Sequence, residues 1–273
     1  MDNIIEYGLQ SVRLRREKRM KNYAVVTGAS AGLGTEFAKQ LAEKGYKIIL
    51  TARREERLRE LAECLPVECV VIPADLSCKE ECLRFFDLIK DYKIDIFINN
   101  AGFGDCNSFL ESDLDMELSM VDVNIKAMHI LFKKMVQKMQ KENHGYILNV
   151  ASSAGLLPAG PYMATYYATK AYVSSLTQAV ARELKEMDSR VYVGALCPGP
   201  VDTEFYDVAN VEFTLKGITP EYCVEYAIKQ MIKRQTVIVP TMLMKLSTTM
   251  GRISPRDLTI KITSGQQKKK LGK

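Results

Sequence analysis

The chain has 273 residues, 47% hydrophobic and 26% charged, enough to bury one large core as a single unit. No apolar run approaches the roughly 18 residues of a membrane span, and Met1 to Lys21 lacks the apolar core of a secretory signal, so a cytoplasmic protein without a transmembrane segment is expected. The net charge of +5 sits at the ends: residues 1–21 carry six basic and three acidic side chains, residues 251–273 seven and one, and the middle holds 25 basic against 29 acidic groups, no footprint for a nucleic acid.

Residues 1–21 read as a basic N-terminal extension, in which Ile4, Ile5, Leu9, Val12 and Leu14 would form one apolar side of a short surface helix. It is expected to be dispensable, because no catalytic motif depends on it. From residue 22 to 250 apolar, β-rich runs alternate with helical patterns. Strands are predicted at Tyr23–Thr27, Tyr46–Thr51, Glu68–Ile72, Asp95–Asn99, Tyr146–Ala151, Val191–Cys197 and Val237–Val239. Helices are predicted at Leu33–Lys44, Glu55–Cys64, Lys79–Lys90, Asp115–Lys141, Ala164–Met187 and Pro220–Lys233. Short strands of continuous apolar character are what burial on both faces demands, so the alternation predicts βαβ units around a seven-stranded parallel sheet. Residues 251–273 read as a basic C-terminal tail, in which Gln266-Gln267-Lys268-Lys269-Lys270 is expected to be a solvated, mobile end. Seven cysteines without a secretory context point to reduced thiols. Cys64, Cys69, Cys78 and Cys82 match no common zinc spacing, and His129 and His144 are the two imidazoles, so no metal site is expected.

Two segments carry chemistry. Thr27-Gly28-Ala29-Ser30-Ala31-Gly32-Leu33-Gly34 joins the first strand to the first helix, where backbone amides and the helix dipole favour phosphate. Glycines at 28, 32 and 34 permit a tight turn and close approach of a pyrophosphate. Further on, Tyr166 and Lys170 are four apart and share a helix face, with Ser153 thirteen residues before the tyrosine. A phenol with a pKa of about 10 is a poor proton catalyst. An ammonium about 4 Å away would lower it by up to about three units at an effective dielectric near 20, bringing Tyr166 near the working pH. Ser153 would then hydrogen-bond an oxygen on which negative charge develops; by spacing, Ser152 and Tyr167 are the weaker candidates.

In this ordered set the chain resembles the short-chain dehydrogenase/reductase family in its simple single-domain form, over about Tyr23 to Val239. Gly160 to Lys170, Gly-Pro-x-Met-Ala-x-Tyr-Tyr-Ala-Thr-Lys, is similar to a segment of bacterial oxidoreductases in that family. The resemblance implies a doubly wound, Rossmann-type three-layer α/β/α sandwich and hydride transfer between nicotinamide and a ketone or secondary alcohol, with Tyr166 as general acid and base. It also implies that Asn124 distorts its helix and holds a water linking Lys170 to solvent. Asp75 and Leu76 would contact the adenine, and Asn100, Ala101 and Gly102 would border its ribose, with Asn99 structural. Pro198, Gly199, Val201 and Thr203 would lie along the nicotinamide. The second strand ends in Leu50-Thr51-Ala52-Arg53-Arg54. Ala52 stands where NAD enzymes place an acid, and Arg53 offers a planar fork to a 2′-phosphate, so NADP(H) is favoured over NAD(H). Arg54 reads as a surface charge at a helix start.

Phe103, Phe109, Leu156, Tyr162, Met163, Phe205 and Tyr206 flank the catalytic segment and suggest an apolar carbonyl substrate such as a steroid, fatty acyl or aromatic ketone. Ala171, Ser174, Ser175 and Ala179 would let the long helices pair across a two-fold axis in a homodimer or homotetramer. A non-catalytic dinucleotide-sensing regulator and a nucleotide-sugar epimerase-like enzyme are the alternatives; the first is disfavoured by the complete catalytic set, the second by the short region after Gly199.

Overall fold

The computed structural model describes residues 21–204 and 217–270. The expected N-terminal extension and the pocket candidates Phe205 and Tyr206 lie outside the described residues. Seven strands, β1 Lys21–Thr27, β2 Tyr46–Thr51, β3 Cys69–Val71, β4 Ile94–Asn99, β5 Tyr146–Val150, β6 Tyr192–Leu196 and β7 Val237–Ile238, form one sheet in the order β3-β2-β1-β4-β5-β6-β7. Every pairing is parallel.

Residue alternation along the strands builds two cores. β1 sends Ala24 and Val26 to one face and Val25 to the other, and β2 divides Ile48 and Leu50 from Ile49 in the same way. On the first face lie α1 (Gly32–Glu43), α2 (Glu55–Cys64) and α7 (Pro220–Ile232), which bury Phe37, Leu41, Leu58 and Ile228. On the second lie α3 (Lys79–Ile89), α5 (Met128–Glu142) and α6 (Ala164–Glu186), which bury Phe85, Leu131, Phe132 and Val173. Each such side chain contributes about 1.5–3 kcal/mol by leaving water. The result is the expected three-layer, doubly wound architecture. The order reverses between β1 and β4, and ligands of open parallel sheets bind in the crevice outside the carboxyl ends at such a switch point.

The helix expected over Asp115–Lys141 is present but interrupted. α4 (Leu114–Val121) passes into a π-helical segment, Asp122–Ala127, before α5 resumes. The tail differs from expectation more strongly. After β7 come α8 (Met242–Ile253) and α9 (Arg256–Lys270), and Thr259, Thr263 and Gln267 of α9 are buried against the body. The expected solvated end is a packed helix. Thr263 Oγ1 donates to the Ala159 carbonyl at 3.0 Å, and Gln267 Nε2 to the Tyr167 hydroxyl at 2.8 Å, which hold it there.

Candidate active site

A cavity of about 1330 Å³ opens over the carboxyl ends of the strands. Its floor at one end is the glycine turn. Gly28 and Gly32 adopt φ of 64° and 52°, and a Cβ on Gly34 would stand 2.1 Å from the Gly28 carbonyl oxygen, so no side chain fits there. α1 begins at Ala31 without a side-chain cap and without an acidic residue in its first turn, leaving its first amides open for an anion. Thr27, fully buried, accepts at Oγ1 from the amides of Asn100 and Ala101, both at 2.9 Å. Asn100 Nδ2 returns a bond to the Thr27 carbonyl at 2.9 Å. The β4 end and the glycine turn are thereby locked as one cradle.

Further along the same wall stand Ala52, Arg53, Arg54, Asp75 and Leu76. Burial raises the Asp75 carboxyl, but hydrogen bonds from the Ser77 amide and hydroxyl and the charge of Arg53 outweigh it and hold the group below its ordinary value. Arg54, read from sequence as a surface charge, hydrogen-bonds the Ser30 carbonyl at 3.3 Å and also lies 3.6 Å from Glu204. Two guanidinium groups therefore face this end of the cavity. The donors and the cradle fit a dinucleotide. The Asn99 side chain bonds the Met128 carbonyl and Asn149, which in turn bonds Thr177.

At the other end, α6 presents Tyr166 and Lys170, both buried. Tyr166 hydrogen-bonds the side chain of Ser152. The spacing argument points to the neighbouring Ser153 instead. A short 3₁₀ turn starts at Ser153, so Ser152 remains extended, heads the turn and accepts from the Ala154 amide at 3.1 Å. Ser153 lines the cavity too, but its amide is committed to the Pro198 carbonyl at 2.8 Å. Residue counting could not register where the turn begins.

The electrostatics also differ from the expectation. Burial pushes the Tyr166 phenol up to about 12, which the Ser152 hydrogen bond only partly opposes, and Tyr167 adds to the rise. Burial likewise drops the Lys170 ammonium to about 8. Its Nζ donates to the Val150 carbonyl at 2.9 Å and lies 5.8 Å from the centre of the Tyr166 ring. The anticipated lowering of Tyr166 by Lys170 is absent because removal from water penalises both charged forms.

Asn124, 1% exposed, lies in the π-helical segment. It accepts from the Phe103 amide at 3.0 Å and donates to the Phe103 carbonyl at 2.8 Å and to Thr169 Oγ1 at 3.1 Å. The widened turn lets this amide reach three partners, and π segments are frequent at functional sites. A Cβ on Gly102 would lie 2.8 Å from Asn124 Oδ1 and 3.3 Å from Lys170 Nζ, so Gly102 keeps these two groups at the cavity edge. Pro198, Gly199, Val201 and Thr203 close the opposite side.

Of the apolar pocket candidates, Phe103 and Met163 line the cavity. Phe109 is exposed, and Leu156 lines a separate cleft beside α6. Sequence reasoning missed Met116, Val123, Leu157, Tyr167, Leu243, Met244 and Gln267, which line it as well. Met116 and Val123 carried a usable signal, being on the helix that bears Asn124; Leu243 and Met244 belong to a stretch for which no element was predicted, and Gln267 to the segment read as a tail.

The family model for short chain dehydrogenase matches residues 22–212. An uncharacterized oxidoreductase of Staphylococcus epidermidis is 35% identical over 188 residues, which cover 68% of this chain and 80% of that protein. A short-chain dehydrogenase from Sphingobium yanoikuyae in complex with NADPH has a TM-score of 0.76 at 26% identity, over 85% of this chain and 93% of that one. One from Burkholderia phymatum in complex with NAD has 0.78 at 22% identity, over 91% and 97%, and supports the fold alone. With the parallel sheet, the glycine cradle and the Tyr166–Lys170 pair in place, this chain belongs to the short-chain dehydrogenase family of oxidoreductases.

Proposed function

We propose that the chain is an NADP(H)-dependent reductase of apolar ketones, reversible toward secondary alcohols, with Tyr166 as proton donor. The observation that carries this reading is the buried Tyr166 and Lys170, with half-buried Ser152 beside the phenol, at one end of a cavity whose other end holds Arg53 and Arg54. The chemistry a bound nicotinamide dinucleotide supplies is hydride transfer to or from carbon. The amides of Gly28 through Gly34 would hold its pyrophosphate, Asp75 and Leu76 its adenine, and Asn100, Ala101 and Gly102 its ribose. Pro198, Gly199, Val201 and Thr203 would border the nicotinamide. Arg53, seconded by Arg54, would take a 2′-phosphate where Ala52 offers no repelling acid.

Tyr166 is protonated at neutral pH and can donate toward the substrate oxygen; burial, which pushes the phenol up to about 12, makes it a weaker acid, so the transfer depends on the groups that stabilise the charge it leaves. Ser152 replaces Ser153 in the reading as the donor to that oxygen as charge develops. Lys170, when protonated, is a nearby cation for the phenolate left behind. Asn124 fixes the Phe103 loop and Thr169 around this pair, with a water-held relay to solvent as its further role. Phe103, Met116, Leu157, Met163, Leu243 and Met244 make the substrate end apolar. The exposed face of α6, with Ala168, Tyr172, Ser175 and Ala179, supports a homodimer or homotetramer, although Ser174 is buried within the subunit. A panel of steroid, fatty acyl and aromatic ketones, followed with NADPH and NADH by nicotinamide absorbance, tests the reading. The Tyr166→Phe variant is expected to bind cofactor and lose turnover; near-normal activity in it would overturn the mechanism.

A further inference from the structure

α8 and α9 are inverted relative to helices that pack on a core. α9 turns Thr259, Thr263 and Gln267 inward and leaves Leu258 and Ile262, four apart, 50% and 54% exposed. α8 buries Thr248 and exposes Met242, Leu246, Met250 and Ile253 at 78%, 62%, 49% and 74%. At about 100° per residue these four fall within roughly one quarter of the helix circumference. Apolar stripes on two adjacent helices are the kind of patch that marks an interaction surface.

Charge selects the occupant. Arg252, Arg256, Lys261, Lys268 and Lys269 are exposed on the same two helices, against the single acid Asp257. A second copy meeting this face across a two-fold axis would set these cations against their own kind. Residues 1–20 are basic as well, with five basic and three acidic side chains, so the same argument disfavours the chain's own beginning as the cover. An apolar stripe flanked by Lys and Arg is the pattern that settles into the headgroup region of an anionic bilayer. Position adds a second reason, because Leu243, Met244 and Gln267 of these helices line the catalytic cavity. A molecule dissolved among acyl chains would meet the cavity wall without crossing water.

We infer that α8 and α9 form a docking face for an anionic lipid surface, with Leu246, Met250, Ile253, Leu258 and Ile262 at the acyl boundary and the basic side chains on the headgroups. The docking itself does not depend on which carbonyl is reduced.

The test is co-sedimentation of the full-length protein with vesicles of equal parts phosphatidylcholine and phosphatidylglycerol, and with phosphatidylcholine alone. Binding is expected to the anionic vesicles and to weaken as salt is added. Leu246→Glu with Ile253→Glu, at exposed positions away from the cavity, should lower that binding at least about tenfold while leaving the thermal transition in place. Lys261→Glu with Lys268→Glu should weaken it without removing any apolar side chain. Failure of the wild-type chain to bind anionic vesicles overturns the inference, as does unchanged binding in the Leu246/Ile253 variant. Binding lost only when residues 1–19 are removed would assign the contact to that segment. A fall in sedimenting mass in the Leu246/Ile253 variant, with vesicle binding unchanged, would assign the face to a second copy. None of these results involves turnover, so they stand apart from failure of the reductase reading.

Discussion

Exchanging Ser152 and Ser153 for alanine, one at a time, separates the geometry of the site from the spacing of its sequence. Ser152 is the serine hydrogen-bonded to Tyr166, and it also caps the 3₁₀ turn through the Ala154 amide at 3.1 Å. Ser152→Ala therefore removes a donor aimed at the developing oxyanion, for which about 10²–10³ in kcat, or about 2.7–4 kcal/mol, is the usual loss. The same change removes a cap, at about 0.5–2 kcal/mol of folding stability. The two effects are read separately, by kcat on the best ketone of the panel and by a urea transition. Ser153→Ala leaves the backbone bond from residue 153 to the Pro198 carbonyl intact and is expected to change kcat by less than about fivefold. A hundredfold loss in Ser153→Ala with near-normal turnover in Ser152→Ala would refute the assignment and restore the thirteen-residue spacing as the guide.

Converting Ala52 to Asp and Arg53 to Leu should move cofactor preference toward NADH by at least about tenfold in kcat/KM, since a 2′-phosphate loses a partner and gains a repulsive neighbour. Unchanged preference would transfer the role to Arg54, which is braced against Ser30. Lys170, buried, has its ammonium lowered from 10.5 to about 8, so the unfolded chain holds the extra proton between those values and stability rises with pH across that window. Tyr166, raised from 10.0 to about 12, acts in the opposite sense above its unfolded value, as do the thiols of Cys69, Cys82, Cys197 and Cys223 above 9.0, so the lysine is read from the difference between variant and wild type, in which these groups are common. Lys170→Met should accordingly exceed the wild type in urea stability near neutrality and lose about 2–3 kcal/mol of that advantage by about pH 9.5; a constant difference would refute the burial argument.

The sheet was legible because buried parallel strands announce themselves as short apolar runs. Tyr46–Thr51 was expected and found with the same ends. The π segment at Asp122–Ala127 was invisible to a count of helical spacing, since one extra residue in a turn leaves apolar residues on both sides of it. Periodicity failed at α9 for a different reason. Its inward residues are Thr259, Thr263 and Gln267, so a reading that equates burial with apolar character places that face in water. Which of Ser152 and Ser153 stands beside the phenol depends on backbone direction, and the high phenol pKa of Tyr166 on burial, neither of which a spacing carries.

The bond between Gln267 and Tyr167 joins residues 100 apart in sequence, both in the wall of the cavity and the second beside Tyr166. Every residue assigned to proton movement precedes Leu243, Met244 and Gln267 in the chain. Changes in the last two helices can therefore alter which molecule is admitted while leaving the sheet, the glycine turn and the proton chemistry as they are. Under the proposed reading, the part of the cavity wall made by Leu243, Met244 and Gln267 can vary apart from the proton chemistry, whereas Phe103, Met116 and Met163 lie among the residues assigned to it.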